Sequence, residues 1–202
     1  MAKIQNLKEK AELYFEKNAL RYKNDYYLRS RSHPKWIRHK IILQLVEEYV
    51  PSKEALILDV GCGPGMLAKD LAIKVYKGSG LDTSNMMIRL SKDLFKQLKK
   101  EDWNFLVGDV EKTEFKKGTF DCVIASGVIE YMFEDMKMLN EMNRILKPGG
   151  YLIINISNKL GPYKNIVPCG IYNREITNLI SIKKKDFDRI DPVSYTHLRA
   201  HE

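Results

Sequence analysis

The stretch that most constrains this chain is Leu56-Ile57-Leu58-Asp59-Val60-Gly61-Cys62-Gly63-Pro64-Gly65. A short apolar run broken by one acid ends in three glycines at alternate positions, which reads as a buried strand entering a tight loop. Met66 to Val75 follows with an amphipathic pattern, so the loop opens a helix. Strand, glycine-rich turn and helix in that order frame a ligand site at the carboxyl end of a parallel strand. Glycine suits the turn because it reaches positive φ without steric cost and lets a ligand approach the backbone. The helix N-terminus adds N–H groups without intrahelical partners and the positive end of a dipole. Spacing then narrows the ligand. The dinucleotide fingerprint Gly-x-Gly-x-x-Gly, or Ala in the last place, would put Met66 there, so a nicotinamide-dependent oxidoreductase is a remote reading.

Beyond Gly65 strand and helix signals alternate. Gly80-Leu81-Asp82 ends a second strand, and Thr83 or Ser84 caps a helix with Met87, Leu90, Leu94 and Leu98 on one face. Trp103 to Val107 is a third strand, closed by Gly108-Asp109-Val110, and Phe120 to Ala125 is a fourth. Met136, Leu139, Met142 and Leu146 mark the next helix, with the methionines at 136, 138 and 142 expected as core fillers. Lys147-Pro148-Gly149-Gly150 stops it and turns into a fifth strand, Tyr151 to Ile156. Such alternation predicts an α/β fold, a doubly wound, mostly parallel sheet with helices on both faces.

Ahead of this core, Leu7 to Tyr22 predicts a helix whose apolar face is Leu7, Leu13, Tyr14 and Leu20. Aromatic and basic residues interleave from Tyr22 to His33, and Pro34 starts a second helix with Trp36, Ile37, Ile41, Ile42, Leu45 and Val46 in its stripe. The net charge of +8 is uneven. Residues 1–54 carry 12 Lys and Arg against 7 Asp and Glu, residues 55–158 carry 14 of each, and residues 159–202 carry 8 against 5. Basic flanks on a neutral core suit an anionic acceptor, a membrane surface or nucleic acid, or simply a solvated surface. No uninterrupted apolar run is long enough to span a bilayer, and the start lacks the apolar core of a signal peptide. Cys62, Cys122 and Cys169 are odd in number and widely spaced, which indicates neither a disulfide framework nor a zinc site and points to a reducing cytoplasm.

The run Asp59-x-Gly61-x-Gly63-x-Gly65 resembles the first motif of the class I S-adenosylmethionine (SAM)-dependent methyltransferases, and the resemblance extends over Leu56 to Ile156. It implies a Rossmann-like fold and SAM as cofactor. Asp82 stands where that family sets an acid against both ribose hydroxyls, a task a carboxylate performs by accepting two O–H hydrogen bonds. Asp109 stands where an acid accepts from the adenine amino group, beside Val110. Ser126 and Gly127, in the segment Ala125 to Tyr131, border the reacting methyl. Asp59, Gly61, Cys62, Gly63, Gly65, Thr83 and Met87 complete the cofactor set that the resemblance implies. The segment before the first strand would cap the cofactor and line the acceptor pocket. Glu130 and Tyr131 are the candidate catalytic residues should the acceptor need to lose a proton, with His33 a weaker third. No metal is implied.

After Ile156 the resemblance fades. Ser157 to Tyr163 reads as an irregular acceptor-side loop and Asn173 to Ile182 as a short helix. The hairpin that completes the family's seven-stranded sheet is expected to be missing, with Tyr151 to Ile156 left as a bare edge. Val193 to Glu202 matches the translation of a transposase sequencing adapter residue by residue, which removes His197 and His201 from the candidates. Three parts follow: residues 1–50 as a helical cap and acceptor segment, 51–192 as a SAM-binding core truncated after the fifth strand, and 193–202 as a non-native tail. The expected function is methyl transfer from SAM to a small molecule, anionic or lipid-like. The alternative is a non-catalytic SAM-binding protein that contacts RNA or a membrane surface through its basic flank.

Overall fold

The central apolar runs become strands covered on both sides, while Trp103–Val107 at the edge leaves one face exposed. β1 (Leu56–Val60), β2 (Lys77–Asp82), β3 (Trp103–Val107), β4 (Phe120–Ala125) and β5 (Leu146–Asn155) pair in the order β3-β2-β1-β4-β5, all parallel. The computed structural model describes residues 2–28, 34–132, 134–155 and 179–183. Side chains along the strands alternate between two helical layers. Ile57, Cys122, Ile124 and Ile153 pack toward α2 (Pro34–Tyr49), α3 (Met66–Ile73) and α4 (Asn85–Leu98). Leu58, Val60, Val123, Leu152 and Ile154 pack toward α5 (Asp135–Ile145), with Met138, Leu139, Met142 and Ile145 beneath them. Burial of each such side chain stabilises by roughly 1.5–3 kcal/mol relative to exposure. Met138 and Met142 are core fillers as expected, whereas Met136 is exposed on the solvent side of α5.

Small residues in β2 let its neighbours approach closely. A Cβ at Gly80 in β2 would lie 2.6 Å from Phe105 Cδ1, so the aromatic of β3 leans into space that only glycine leaves. Ser84 rather than Thr83 caps α4, its hydroxyl accepting from Met87 N–H at 3.1 Å.

Three expectations are corrected. The first helix, α1, runs from Ala2 to Leu28, well past Tyr22. Its inward face is Phe15, Ala19 and Tyr22, packed on Met87 and Leu90 of α4. Leu13 and Leu20 instead face outward, with Tyr14 at the border, because apolar residues recur on two sides of this helix and only packing decides between them. Leu7 has no described side chain. Second, β5 begins at Leu146 rather than Tyr151. Leu146 already pairs with Phe120, and Pro148-Gly149-Gly150 forms an irregularity within the strand, with Gly149 at φ 82°. Third, the sheet continues past the fifth strand. β6 (Leu179–Lys183) pairs antiparallel with β5, Tyr151 opposite Lys183 and Asn155 opposite Leu179, so β5 is not a bare edge and residues 179–182 are not helical. The rest of the readings after Asn155, including the tail at 193–202, lie outside the described residues, as does His33.

Candidate active site

Strand order reverses between β1 and β4, and a cavity of about 440 Å³ opens there at the carboxyl ends of the strands. That volume is in the range of small-molecule and cofactor sites. β1 contributes Val60, Gly61 and Gly63, β2 contributes Leu81, Asp82 and Thr83, and the turn after β3 contributes Gly108 and Val110. After β4, Ser126, Gly127, Glu130 and Tyr131 complete the sheet side, with Met87 of α4 below. The opposite wall belongs to α1 and α2, through Tyr14, Phe15, Arg21, Tyr22, Lys35 and Arg38 among others.

The glycine loop is built to leave room. Gly61, Gly63 and Gly65 adopt φ of 64°, 52° and 77°, in the left-handed region. A Cβ on Gly61 would lie 2.5 Å from Val128 Cγ2, whereas one on Gly63 would meet nothing closer than 3.9 Å and would project into the cavity. Gly65 is the N-cap of α3 and borders Ser91 instead of the cavity. The loop amides are committed within the protein. Gly61 and Cys62 N–H donate to Leu81 C=O at 2.7 and 3.1 Å, and Gly63 N–H donates to Asp82 Oδ2 at 2.9 Å. Ser91 Oγ donates to Gly63 C=O at 2.7 Å. The loop therefore offers shape and absence of side chains rather than free N–H groups at these positions.

Acidic groups surround this cradle. Asp82 accepts from Gly63 N–H and, at 2.9 Å, from Ser84 N–H, which leaves each oxygen further lone-pair capacity toward the cavity. Burial raises its carboxyl, against the lowering by those N–H groups. Asp59 is buried, its Oδ2 without a hydrogen bond, and burial with the nearby Asp82 charge pushes it up to about 8. Asp59 and Cys62 line a smaller adjoining pocket with Arg38 and His39, and burial raises the Cys62 thiol well above its usual range. Asp109 is not on the cavity wall. Its carboxylate accepts from Lys8 Nζ at 2.7 Å and from Glu111 N–H at 3.0 Å, whereas its neighbours Gly108 and Val110 line the cavity. Local turn chemistry and a cation from α1, neither visible in the motif, hold the acid in this position.

At the far end, Glu130 and Tyr131 lie on a single 3₁₀ turn, Ile129–Tyr131. Glu130 Oε2 is buried without a hydrogen bond, and burial raises its carboxyl while the Arg38 charge lowers it. Burial and the Glu130 charge raise the Tyr131 phenol, whose ring meets Phe15 of α1 edge-on with centroids 5.6 Å apart. The turn is anchored by Gly127 N–H, which donates to Asn155 Oδ1 at the buried end of β5.

Several site residues escape sequence reasoning. Arg38 closes both pockets, with its guanidinium 3.3 Å from where a Gly127 Cβ would lie. Glu16 fastens α1 to the start of α4, accepting from Ser84 Oγ at 2.6 Å and Met86 N–H at 3.1 Å. Lys35 Nζ sits 4.0 Å above the Tyr22 ring. The surplus of basic residues before position 55 was the available signal for a cationic wall, although nothing in it singled out Arg38.

A SAM molecule suits this site. It needs a glycine cradle that side chains would block, an acceptor carboxylate at the end of β2 and a cavity of this size, and all three are present.

Comparison with known proteins agrees. Residues 58–154 match the family model described as a methyltransferase domain. The chain is 32% identical over 117 residues to malonyl-(acyl-carrier protein) O-methyltransferase of Legionella pneumophila, covering 57% of this chain and 39% of that protein. It is 33% identical over 125 residues to demethylmenaquinone methyltransferase of Lactococcus lactis, covering 55% and 50%. The chain thus spans about half the length, or less, of these curated relatives. In fold it is similar to a putative SAM-dependent methyltransferase from Methanococcus maripaludis, with TM-score 0.61 and 21% identity over 70% of this chain and 64% of that one. With the site and these matches together, residues 58–154 are similar to the methyltransferase domain of SAM-dependent methyltransferases, in sequence and in fold.

Proposed function

We propose that this protein transfers a methyl group from SAM to a small-molecule acceptor, anionic or lipid-like, held between the turn after β4 and the α1–α2 wall. The observation that carries the reading is the division of one cavity into two unlike halves. The sheet side is a glycine cradle with carboxylates, and the cap side is aromatic and cationic through Phe15, Tyr22, Lys35 and Arg38. When bound, the cofactor supplies a methyl group made electrophilic by its sulfonium. The protein's task is then to align the acceptor and exclude water.

Gly61, Gly63, Asp82, Thr83 and Met87 would hold the ribose and methionine parts, and Gly108 and Val110 the adenine. Asp59 and Cys62 would shape the loop from behind rather than touch the ligand. Glu130 takes a proton from the acceptor. Burial raises its carboxyl, as suits a base, and the residue lines the cavity where an acceptor would lie. Tyr131 orients the acceptor.

The test is transfer of labelled methyl from SAM to candidate carboxylate and quinol acceptors, with SAM affinity measured by calorimetry. Glu130→Gln should slow transfer by about 10²-fold or more at unchanged SAM affinity and remove the acidic limb of the pH–rate profile. SAM binding without transfer to any acceptor, by wild-type protein, would point instead to a non-catalytic SAM-binding protein.

A further inference from the structure

α1 carries two apolar stripes, and among the described residues only one is packed against a partner. Phe15, Ala19 and Tyr22 turn inward onto α4, whereas Leu13 and Leu20, two turns apart on the opposite side, are 57% and 60% exposed. Tyr14, at 59%, stands at the border between the two faces. Between residues 8 and 25 the exposed side chains are Glu9, Lys10, Leu13, Tyr14, Lys17, Leu20, Arg21 and Asn24. The outward face therefore pairs aliphatic groups with three cations and a single acid. Core packing explains none of it, and leaving two leucines in water costs burial free energy that polar residues would not.

We propose that this outward face of α1 docks on an anionic lipid bilayer, with the helix lying in the interface plane. Leu13 and Leu20 enter the headgroup–acyl boundary, and Lys10, Lys17 and Arg21 meet lipid phosphates. No helix among the described residues is long and apolar enough to cross a membrane, so this attachment is peripheral. Other occupants fit the face less well. RNA would use the cations but leave the aliphatic pair unmatched, since bases stack on aromatic rings. A second copy would set the same three cations against each other.

The face is also continuous with the site. Tyr14 and Arg21 belong both to the exposed arc and to the cavity wall, so the cap-side rim opens along the edge that would touch the bilayer. An amphiphilic acceptor could then reach Glu130 while its apolar tail stays in lipid. That route rests on the methyl-transfer reading above, whereas the docking surface does not.

The experiment is flotation of the full chain with phosphatidylcholine vesicles, with and without phosphatidylglycerol, with SAM calorimetry run in parallel. Wild-type protein should prefer the anionic vesicles by roughly 30-fold or more. Leu13→Ser/Leu20→Ser should weaken that binding by about tenfold or more, and Lys10→Glu/Lys17→Glu should erase the preference for anionic lipid. Both double variants should bind SAM like wild type, because none of the four residues lines the cavity, and this shows that they fold. Equal binding to both vesicle types, or vesicle binding unchanged by the leucine variant, overturns the proposal. So does a wild-type dimer that Leu13→Ser/Leu20→Ser turns into a monomer without any vesicle binding. Salt-sensitive RNA binding that Lys10→Glu/Lys17→Glu abolishes, again without vesicle binding, overturns it as well. Vesicle binding by a wild-type chain that fails to bind SAM would sink the methyl-transfer reading and leave this surface standing.

Discussion

At the scale of single residues, the site depends on groups that serve loop and ligand together. Asp82 fixes Gly63 and Ser84 through their N–H groups and still has acceptor capacity facing the cavity. Asp82→Ala should weaken SAM binding by about 1.5–3 kcal/mol, read by calorimetry on folded protein, and unchanged affinity would sink the ribose assignment. Gly63→Val should be more damaging, since it fills the cradle and forces a β-branched residue to positive φ. Asp59 makes a pH prediction. Its folded-state pKa lies above the unfolded one, so the folded state keeps a proton that the unfolded state has released. The associated stability is fully present below about pH 4 and is lost as pH rises toward 8, by at most about 1.4 kcal/mol per pH unit. Denaturant melts between pH 5 and 8 should show wild type losing stability relative to Asp59→Asn. Parallel curves would show that Asp59 does not titrate there.

Among the elements, α1 is held by a small apolar cluster on α4. It buries few apolar side chains and is fastened by polar clamps as well: Glu16 on the start of α4, and Lys8 on Asp109 and Glu111. Burial is the largest effect on the Lys8 ammonium and lowers it, yet its hydrogen bonds to the two carboxylates, with their charges, outweigh it and leave Lys8 raised overall. Glu16→Ala should therefore loosen α1 by roughly 1–3 kcal/mol, because Ser84 Oγ and Met86 N–H lose their acceptor. Hydrogen exchange should quicken in residues 8–25 and stay unchanged in β1 and β4. A uniform change across the sheet would mean that α1 is part of one cooperative unit with the core. Deleting residues 1–32 should likewise spare part of the SAM affinity while abolishing methyl transfer. Retained turnover would rule out a covering role for this segment.

For the molecule as a whole, β6 decides whether the sheet ends in an open apolar strand. Its backbone takes up the N–H and C=O groups of β5 that would otherwise be a template for intermolecular pairing. Ser181→Pro, opposite Ile153, removes a donor from that ladder and should raise light scattering at micromolar protein. Unchanged scattering would show that β5 needs no cover. β6 was illegible beforehand because five residues amid polar sequence carry too short a period to separate strand from helix. Only the presence of β5 beside them settles the state. β3 and β4, by contrast, match their predicted limits residue for residue, since apolar runs bounded by turn residues mark both, although only β4 is buried on both faces.

The sequence by itself determined the frame: alternating strands and helices, the glycine cradle after β1, Asp82 at the end of β2, and hence the resemblance to SAM-dependent methyltransferases. Those features are local, carried by residues adjacent in the chain and by backbone requirements that few residue types meet. The tertiary structure decided which way each remaining group points. It turned Asp109 toward Lys8, 101 residues away, set Arg38 beside Gly127 and Glu130, turned Phe15 inward and left Leu13 and Leu20 in solvent. Each of these depends on a contact between distant segments. Residue pattern offers such groups several equivalent partners, and only the packing of α1 and α2 over the sheet selects one.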